Sequence, residues 1–425
     1  MKIAVVVHDY LPRHVGGTEI HAHQVASELV RRGHEVVAFS TERDLEAPEG
    51  DLRSFELDGV RGTEMVHQRE YADVRESWTQ SLAAETLRSL LARERPEVVH
   101  FQHLSLWGSR GIAIARERGA RVVVTLNDFF LLCDDAVLLD PDLELCTRAE
   151  RGECSQCLRR HPLRPERWLD APQGLELEEY WERAALERYE WHKRDLLLAD
   201  VVVCPSRFLA DRFLAAGMLR ESQVRVLKYG YPGERHAPRP SDPSQPLRVG
   251  YVGGIYPSKG VHVLVEAMAQ LAGEPLELSI WGALDWFPDY VAGLRERAAG
   301  AAVRFEGRYP PGEVDRVLQG FDVLVVPSIW YENMPLTIQE AFRNAVPVVT
   351  TDLGGMAESV EHERSGLLFP RGDAAALAAA LRRLAGDRAL LQRLAEGHPH
   401  VPQLGEVVDQ LEEFYAGVRS PGAAR

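Results

Sequence analysis

Short β-branched runs that are apolar from end to end, each followed by a helical stretch, recur along this chain and limit its fold more than any other feature. KIAVVVH (2–8) precedes a helical pattern around 18–32, and EVVAFS (35–40) follows Gly33, a helix-stop signal. EVVHFQH (97–103) leads into 109–118, RVVVTLND (121–128) comes next, ADVVVCPS (199–206) leads into a helix over about 207–216, and VRVLKYG (224–230) follows. Strands without polar alternation are buried on both faces. Alternating them with helices requires a parallel sheet covered on each side.

GERHAPRPSDPSQP (233–246), dense in proline and polar residues, interrupts this pattern as an inter-domain linker would. The rhythm then restarts: LRVGYVGG (247–254), a helix over 260–272, LELSIWG (276–282), a helix near 288–299, VRFEGR (303–308), a helix over 312–319, VLVVPS (323–328), a helix over 336–344 and PVVTTD (347–352). The expected architecture is α/β: two doubly wound, Rossmann-like parallel-sheet domains facing across a cleft, over 1–235 and 246–400. A last helix, about 403–420, is a candidate to pack back on the first domain. Ligands of such sheets sit outside the carboxyl ends of the strands.

With 425 residues, 45% of them hydrophobic and 27% charged, the chain has the composition of a soluble protein of two or three domains. A formal net charge of −15 argues against a nucleic-acid surface, yet leaves room for a nucleotide, whose phosphates need only a few local donors. MKIAVVVHDYLP reads as a buried strand rather than a secretory leader, and no window has the apolar length of a membrane span. A cytoplasmic enzyme is expected, with the inner face of the membrane as a second location.

Three glycine pairs follow strands. HVGGTE (14–19) places Gly16 and Gly17 before a helix that Thr18 could cap; GGIYPSKG (253–260) places Gly253, Gly254 and Lys259 likewise; DLGGMAES (352–359) is the third. Glycines let a ligand approach the backbone, and a lysine beside a helix start suits a diphosphate. The triphosphate P-loop spacing is absent. SRF (206–208) adds Arg207 at another strand end. YENMPLTIQE (331–340) carries Glu332 in a loop and Glu340 on the helix beyond, a pair that suits a hydrolase's acid and base, a metal clamp, or two hydrogen-bonding stations for one long ligand. Taken alone each feature is also ordinary turn, capping or core chemistry.

PSIWYENMPLTIQEAFRNAVPVVTTDLGG, an acid, seven residues, a second acid and PVV, together with YVGGIYPSKGVHVLVEA and HVGGTE, resembles the large retaining GT-B glycosyltransferase family commonly numbered four. The resemblance extends over nearly the whole chain. It implies a metal-independent hexosyltransferase that takes a nucleoside-diphosphate sugar on its second domain and an unidentified acceptor on its first. It further implies that Glu340 holds the ribose, that Glu332 faces the donor sugar near its anomeric carbon, and that Lys259 neutralises the diphosphate. The backbones of Asn333, Met334, Pro335 and Leu336, and of Gly16 and Gly17, would contact sugar and phosphates. Two departures stand out. Gly254 replaces a common arginine, whose charge Arg207 or Arg308 would supply. Asn127 in LND replaces a histidine; it can hydrogen-bond a sugar but cannot act as a base, a part for which His103 is a candidate. The rival readings are a non-catalytic nucleotide-sugar-binding protein and a glycoside hydrolase or phosphorylase.

Cys133, Cys146, Cys154 and Cys157 lie in an insertion, about 130–198, where the strand–helix rhythm breaks. Four thiolates ending in CxxC suit a structural zinc; reduced thiols and disulfides are the alternatives. Cys204, alone in an apolar run, reads as core. The basic, aromatic RRHPLRPERWL (159–169) and the helical 178–198 beyond it suit acceptor binding or peripheral membrane association, or simply a packed helix with a solvated face.

Overall fold

In the computed structural model, which describes residues 1–69, 71, 73–149, 152–159, 176–233, 235–310 and 312–417, the valine-rich runs assemble into two parallel sheets. The chain divides into two compact units, Met1–Pro232 with Pro402–Arg425, and Gly233–Val401.

The first unit contains β1 (Lys2–Val6), β2 (Glu35–Glu42), β3 (Leu52–Leu57), β4 (Val60–Val66), β5 (Val98–Phe101), β6 (Arg121–Thr125), β7 (Val201–Cys204) and β8 (Val224–Val226), in the order β3-β4-β2-β1-β5-β6-β7-β8. Only β3 and β4 pair antiparallel. Their turn is Asp58–Gly59, with φ of 49° and 79°, the left-handed pair that a two-residue hairpin needs. β3 alternates exposed and half-buried residues, as an edge strand does, whereas β1, β5 and β7 are buried almost throughout.

The second unit contains β9 (Leu247–Val252), β10 (Leu276–Trp281), β11 (Val303–Gly307), β12 (Val323–Val326), β13 (Val348–Thr351) and β14 (Gly366–Phe369), all parallel, in the order β11-β10-β9-β12-β13-β14. Residues 235–246 form no regular element and are mostly exposed, as expected of a linker. Part of the segment lies along the second unit, where Arg239 donates to the Phe321 carbonyl at 3.0 Å. Among the parallel strands the order reverses at β1/β5 in the first sheet and at β9/β12 in the second. Loops from adjacent strands splay apart at such a point and leave a crevice at the carboxyl ends.

The helix Leu404–Ala416 belongs to the first unit. Its Val407, Val408, Leu411 and Phe414 share a core with Val25, Ala26 and Leu29. Arg32 donates to Asp409 and Glu412 at 2.5 and 2.7 Å. Below them, fully buried His100 is held by Tyr415 Oη on Nδ1 and Thr125 Oγ1 on Nε2, both at 2.7 Å. Burial, with a smaller contribution from His21, pushes His100 down to about 3, so it stays neutral. Among the described residues no helix is long and apolar enough to cross a membrane.

Replacing Tyr415 with Phe removes the 2.7 Å partner of a buried imidazole nitrogen and leaves it only Gln102 Nε2 at 3.5 Å. The expected cost is about 1–3 kcal/mol, read as a lower denaturation midpoint with an unchanged denaturant slope.

Candidate active site

At the β9/β12 reversal, two strand-end loops are pressed together. Beyond β9, Gly253 and Gly254 lead into a 3₁₀ turn, Pro257–Lys259, and then into the helix Val261–Gln270. The sequence placed Lys259 directly against that helix; the structure inserts Gly260 at φ 67° between them. No other residue fits there, because a Cβ on Gly260 would stand 2.0 Å from the Pro327 carbonyl oxygen. From the opposing loop, the Ile329 N–H donates to the Ser258 carbonyl at 2.9 Å. The lysine turn is thereby fixed to the loop that carries Glu332.

Glu332 is 6% exposed, and three donors converge on its Oε1: Lys259 Nζ at 2.7 Å, Ser328 Oγ at 2.7 Å and Trp330 Nε1 at 2.9 Å. The Lys259 ammonium also lies 5.2 Å from the Trp330 ring and 5.8 Å from that of Tyr256. Burial alone would lower the lysine pKa. The Glu332 carboxylate more than offsets this, and the net shift is upward. The lysine side chain keeps 22% of its surface in water, so the ion pair remains accessible to an incoming anion.

Glu332 is held from behind as well. The Gly355 N–H donates to its carbonyl at 2.9 Å, and a Cβ on Gly355 would stand 1.5 Å from the Asn333 carbonyl oxygen. The third glycine pair therefore buttresses the loop. Pro335, expected within the first helical turn, immediately precedes the helix Leu336–Arg343 and sets its entry. Ile338 and Phe342 bury the core face of that helix, while Glu340, half-buried, has no hydrogen-bond partner for its carboxylate among the described residues. Burial pushes Glu340 up to about 7, with Arg343 lowering and Asp315 raising it. Arg308, a candidate replacement for the charge missing at Gly254, is forked onto Asp285 at 2.7 and 3.2 Å.

The first unit gathers its own charged group at the β1/β5 reversal. His8 Nε2 lies 2.9 Å from Glu19 Oε1, and Arg69 donates to both oxygens of Asp9 at 2.8 and 3.1 Å. His8, Asp9 and Glu19 present ligand atoms within 4.8 Å of one another, the spacing a metal ion would require. Gly16, not Thr18, caps the helix Gly17–Arg31, and it does so without a side-chain bond. His103 Nε2 lies 3.0 Å from Asp128 Oδ2, and its Nδ1 accepts the Ser105 N–H at 3.1 Å. Burial would lower the His103 pKa, but Asp128 raises it further. Both ring nitrogens are engaged, so His103 is held in one orientation against Asp128. Asn127 is likewise engaged: its amide donates to the Gln102 carbonyl and accepts from Tyr229 Oη. Arg207 lies on the helix Arg207–Ala215 of the first unit and pairs with Asp211 at 2.8 Å and Glu221 at 2.9 Å. The strand-end reasoning that selected His103 applied equally to His8, Asp9 and Asp128, which it passed over, as it did Glu19 in HVGGTE.

Residues 15–235 match the description Glycosyltransferase Family 4, and residues 246–387 match Glycosyl transferases group 1. The chain belongs to this glycosyltransferase family. The glycogen synthase of Mycobacterium tuberculosis (strain CDC 1551 / Oshkosh) is 26% identical over 417 residues, covering 93% of this chain and 88% of that protein. Among solved structures, sucrose-phosphate synthase from Thermosynechococcus elongatus superposes with a TM-score of 0.70 at 20% identity, over 98% of each chain. Anabaena Alr3699/HepE in complex with UDP-glucose gives 0.67 at 17%, over 98% of this chain and 100% of that one. The fold of this glycosyltransferase is thus GT-B, and it is an enzyme of the sugar-transferring class.

Gly355→Ala should cost about 1–3 kcal/mol, because the Asn333 backbone must move to admit the methyl group. Gly293→Ala is the matched control, in a helix interior with open space around it; it should be neutral or stabilising by about 0.5–1 kcal/mol. Equal thermal shifts for the two variants would contradict the buttress.

Proposed function

We propose that this glycosyltransferase moves a hexose-type sugar, with retention, from a nucleoside-diphosphate sugar to an acceptor, and that the second unit holds the donor. The convergence of Lys259, Ser328 and Trp330 on Glu332 carries the reading. Breaking the bond between the anomeric carbon and the diphosphate leaves positive charge on the sugar and negative charge on the leaving group. A lysine and a carboxylate preset beside each other serve those two charges with only a local shift of the lysine. In this reading Lys259 exchanges part of its bond to Glu332 for a diphosphate oxygen. Glu332, still held by Ser328 and Trp330, faces the anomeric carbon. The bond from the acceptor oxygen to that carbon forms on the face the diphosphate leaves, and the acceptor proton passes to the departing diphosphate. Lys259 supplies fixed positive charge at the phosphates whether or not a metal ion assists.

Glu340 completes the donor site. Its carboxylate, free of other hydrogen bonds, accepts from the ribose hydroxyls. The HepE complex with UDP-glucose supports a donor of this chemical class. Asn127 and His103 act as positioning residues, holding the strand ends of the first unit in place.

A thermal-shift panel of nucleoside diphosphates and their sugars identifies the donor. With that donor, Glu332→Gln should lower kcat by about 10²–10³-fold while the protein stays folded, by analogy with lost oxyanion-hole donors. Glu340→Ala should chiefly weaken nucleotide binding. Wild-type transfer by both variants would overturn the reading; so would tight nucleotide-sugar binding without turnover, or hydrolysis needing no nucleotide.

The affinity has a predictable pH dependence. Ribose hydroxyls favour the ionised carboxylate, so binding releases the proton that Glu340 holds up to about 7. Affinity for an intact nucleotide sugar, whose diphosphate diester stays ionised throughout, should rise about tenfold from pH 6 to 8. It should be flat in Glu340→Gln. A flat wild-type profile would contradict this assignment.

A further inference from the structure

The four cysteines of the insertion are not among the residues of the proposed donor site. Cys133, Cys146, Cys154 and Cys157 are 3%, 6%, 7% and 6% exposed, and none is disulfide-bonded. A succession of turns leads into the cluster. The Cys133 N–H bonds the Phe129 carbonyl at 2.7 Å, the Ala136 N–H bonds the Cys133 carbonyl at 2.9 Å, and Ala136 and Leu138 take φ of 62° and 51°. The turns aim the backbone N–H groups of Asp135 and Leu138 at Cys133 Sγ. Leu138 also accepts the Cys146 N–H on its carbonyl at 2.8 Å. One residue therefore ties the second cysteine to the first, and the small hairpin closed by Leu139 and Leu145 fixes that pairing. Cys154 and Cys157 stand three residues apart, on one face of the opening turn of Ser155–Arg159. Cys154 interacts electrostatically with the other three cysteines, and Cys157 with Cys133 and Cys146, so all four sulfurs share one locality.

Arg188, 2% exposed, adds a cation beside Cys133 and Cys154 and is itself paired with Asp134 at 3.2 Å. Four buried sulfurs, oriented N–H donors and a buried guanidinium make a site for a soft divalent cation bound as thiolates. We propose that Cys133, Cys146, Cys154 and Cys157 bind one structural Zn²⁺ that organises the insertion. Among the described residues no three of these sulfurs lie within 4.8 Å of one another. Tetrahedral binding at about 2.3 Å per bond would draw them to about 3.8 Å apart. Each ligand exchanges its thiol proton for the metal, so binding releases protons. With four protein ligands the ion has no position for water or substrate, and its function is in folding. The proposal is independent of the sugar-transfer reading.

The test uses the full chain, purified with zinc in the medium and desalted. Elemental mass spectrometry should find about one zinc per chain and no stoichiometric iron. Thiol titration after denaturation with chelator, without reductant, should count all five cysteines. Cys154→Ser/Cys157→Ser should lose the metal and melt earlier, which distinguishes this cluster from His8, Asp9 and Glu19. If that variant is insoluble, a mercurial thiol reagent on the wild type should release one zinc to a colorimetric chelator. Absent zinc with five free thiols, fewer than five thiols, iron with a visible absorption band, or zinc retained by the double variant or released by chelator without thiol modification would each overturn the proposal.

Discussion

The ion pair between Lys259 and Glu332 is the contact around which the second unit is arranged. It joins the loop after β9 to the loop after β12, across the point where the strand order reverses. A buried carboxylate and the half-buried ammonium beside it are costly to desolvate and stay together only where hydrogen bonds satisfy them. Here Ser328 and Trp330 provide those bonds, Gly260 lets the lysine turn approach Pro327, and Gly355 supports the Glu332 backbone. Features that look like separate motifs in the sequence are parts of one support. A charge pair held this rigidly is useful to a reaction that separates charge, because donor and acceptor groups are already in position when the bond breaks.

The two acids of the Glu332/Glu340 segment differ in environment as much as in position. Glu332 sits among donors and beside a cation. Glu340, one turn into the following helix, is desolvated without a hydrogen bond and held up to about 7. A hydrolase's acid and base would also differ in this way. What distinguishes this arrangement is the lysine on Glu332, a cation beside the carboxylate that a leaving diphosphate would claim.

Much of the architecture was legible in the sequence because parallel strands buried on both faces leave a composition that little else produces. KIAVVV, RVVVT and VLVV became β1, β6 and β12. The hairpin β3–β4 was overlooked although Asp58–Gly59 is a strong turn signal, because LRSFEL is an edge strand, half exposed, and lacks the apolar run that marked the others. Glu332, Glu340 and Lys259 stand out in the sequence as candidates because charged residues interrupt apolar segments there, two of them beyond strand ends and Glu340 on the helix Leu336–Arg343. The partners that orient them were less legible. Ser328 and Trp330 are ordinary residues until the loop folds, and Gly355 reads as a turn until its contact with Asn333 is seen. In the first unit, Asn127 and His103 were read by their chemistry alone; their hydrogen bonds to Gln102, Tyr229, Asp128 and Ser105 depend on tertiary contacts that no spacing encodes. The segment 160–175, which holds most of the basic aromatic stretch, lies outside the described residues.

In the proposed reaction Lys259 passes from Glu332 to a diphosphate. A crystal structure with the nucleoside diphosphate that most raises the melting point tests it directly. Lys259 Nζ should lie within hydrogen-bonding distance of a phosphate oxygen, with Glu340 against the ribose of the same ligand. A diphosphate bound elsewhere, with the lysine still seated wholly on Glu332, would contradict it.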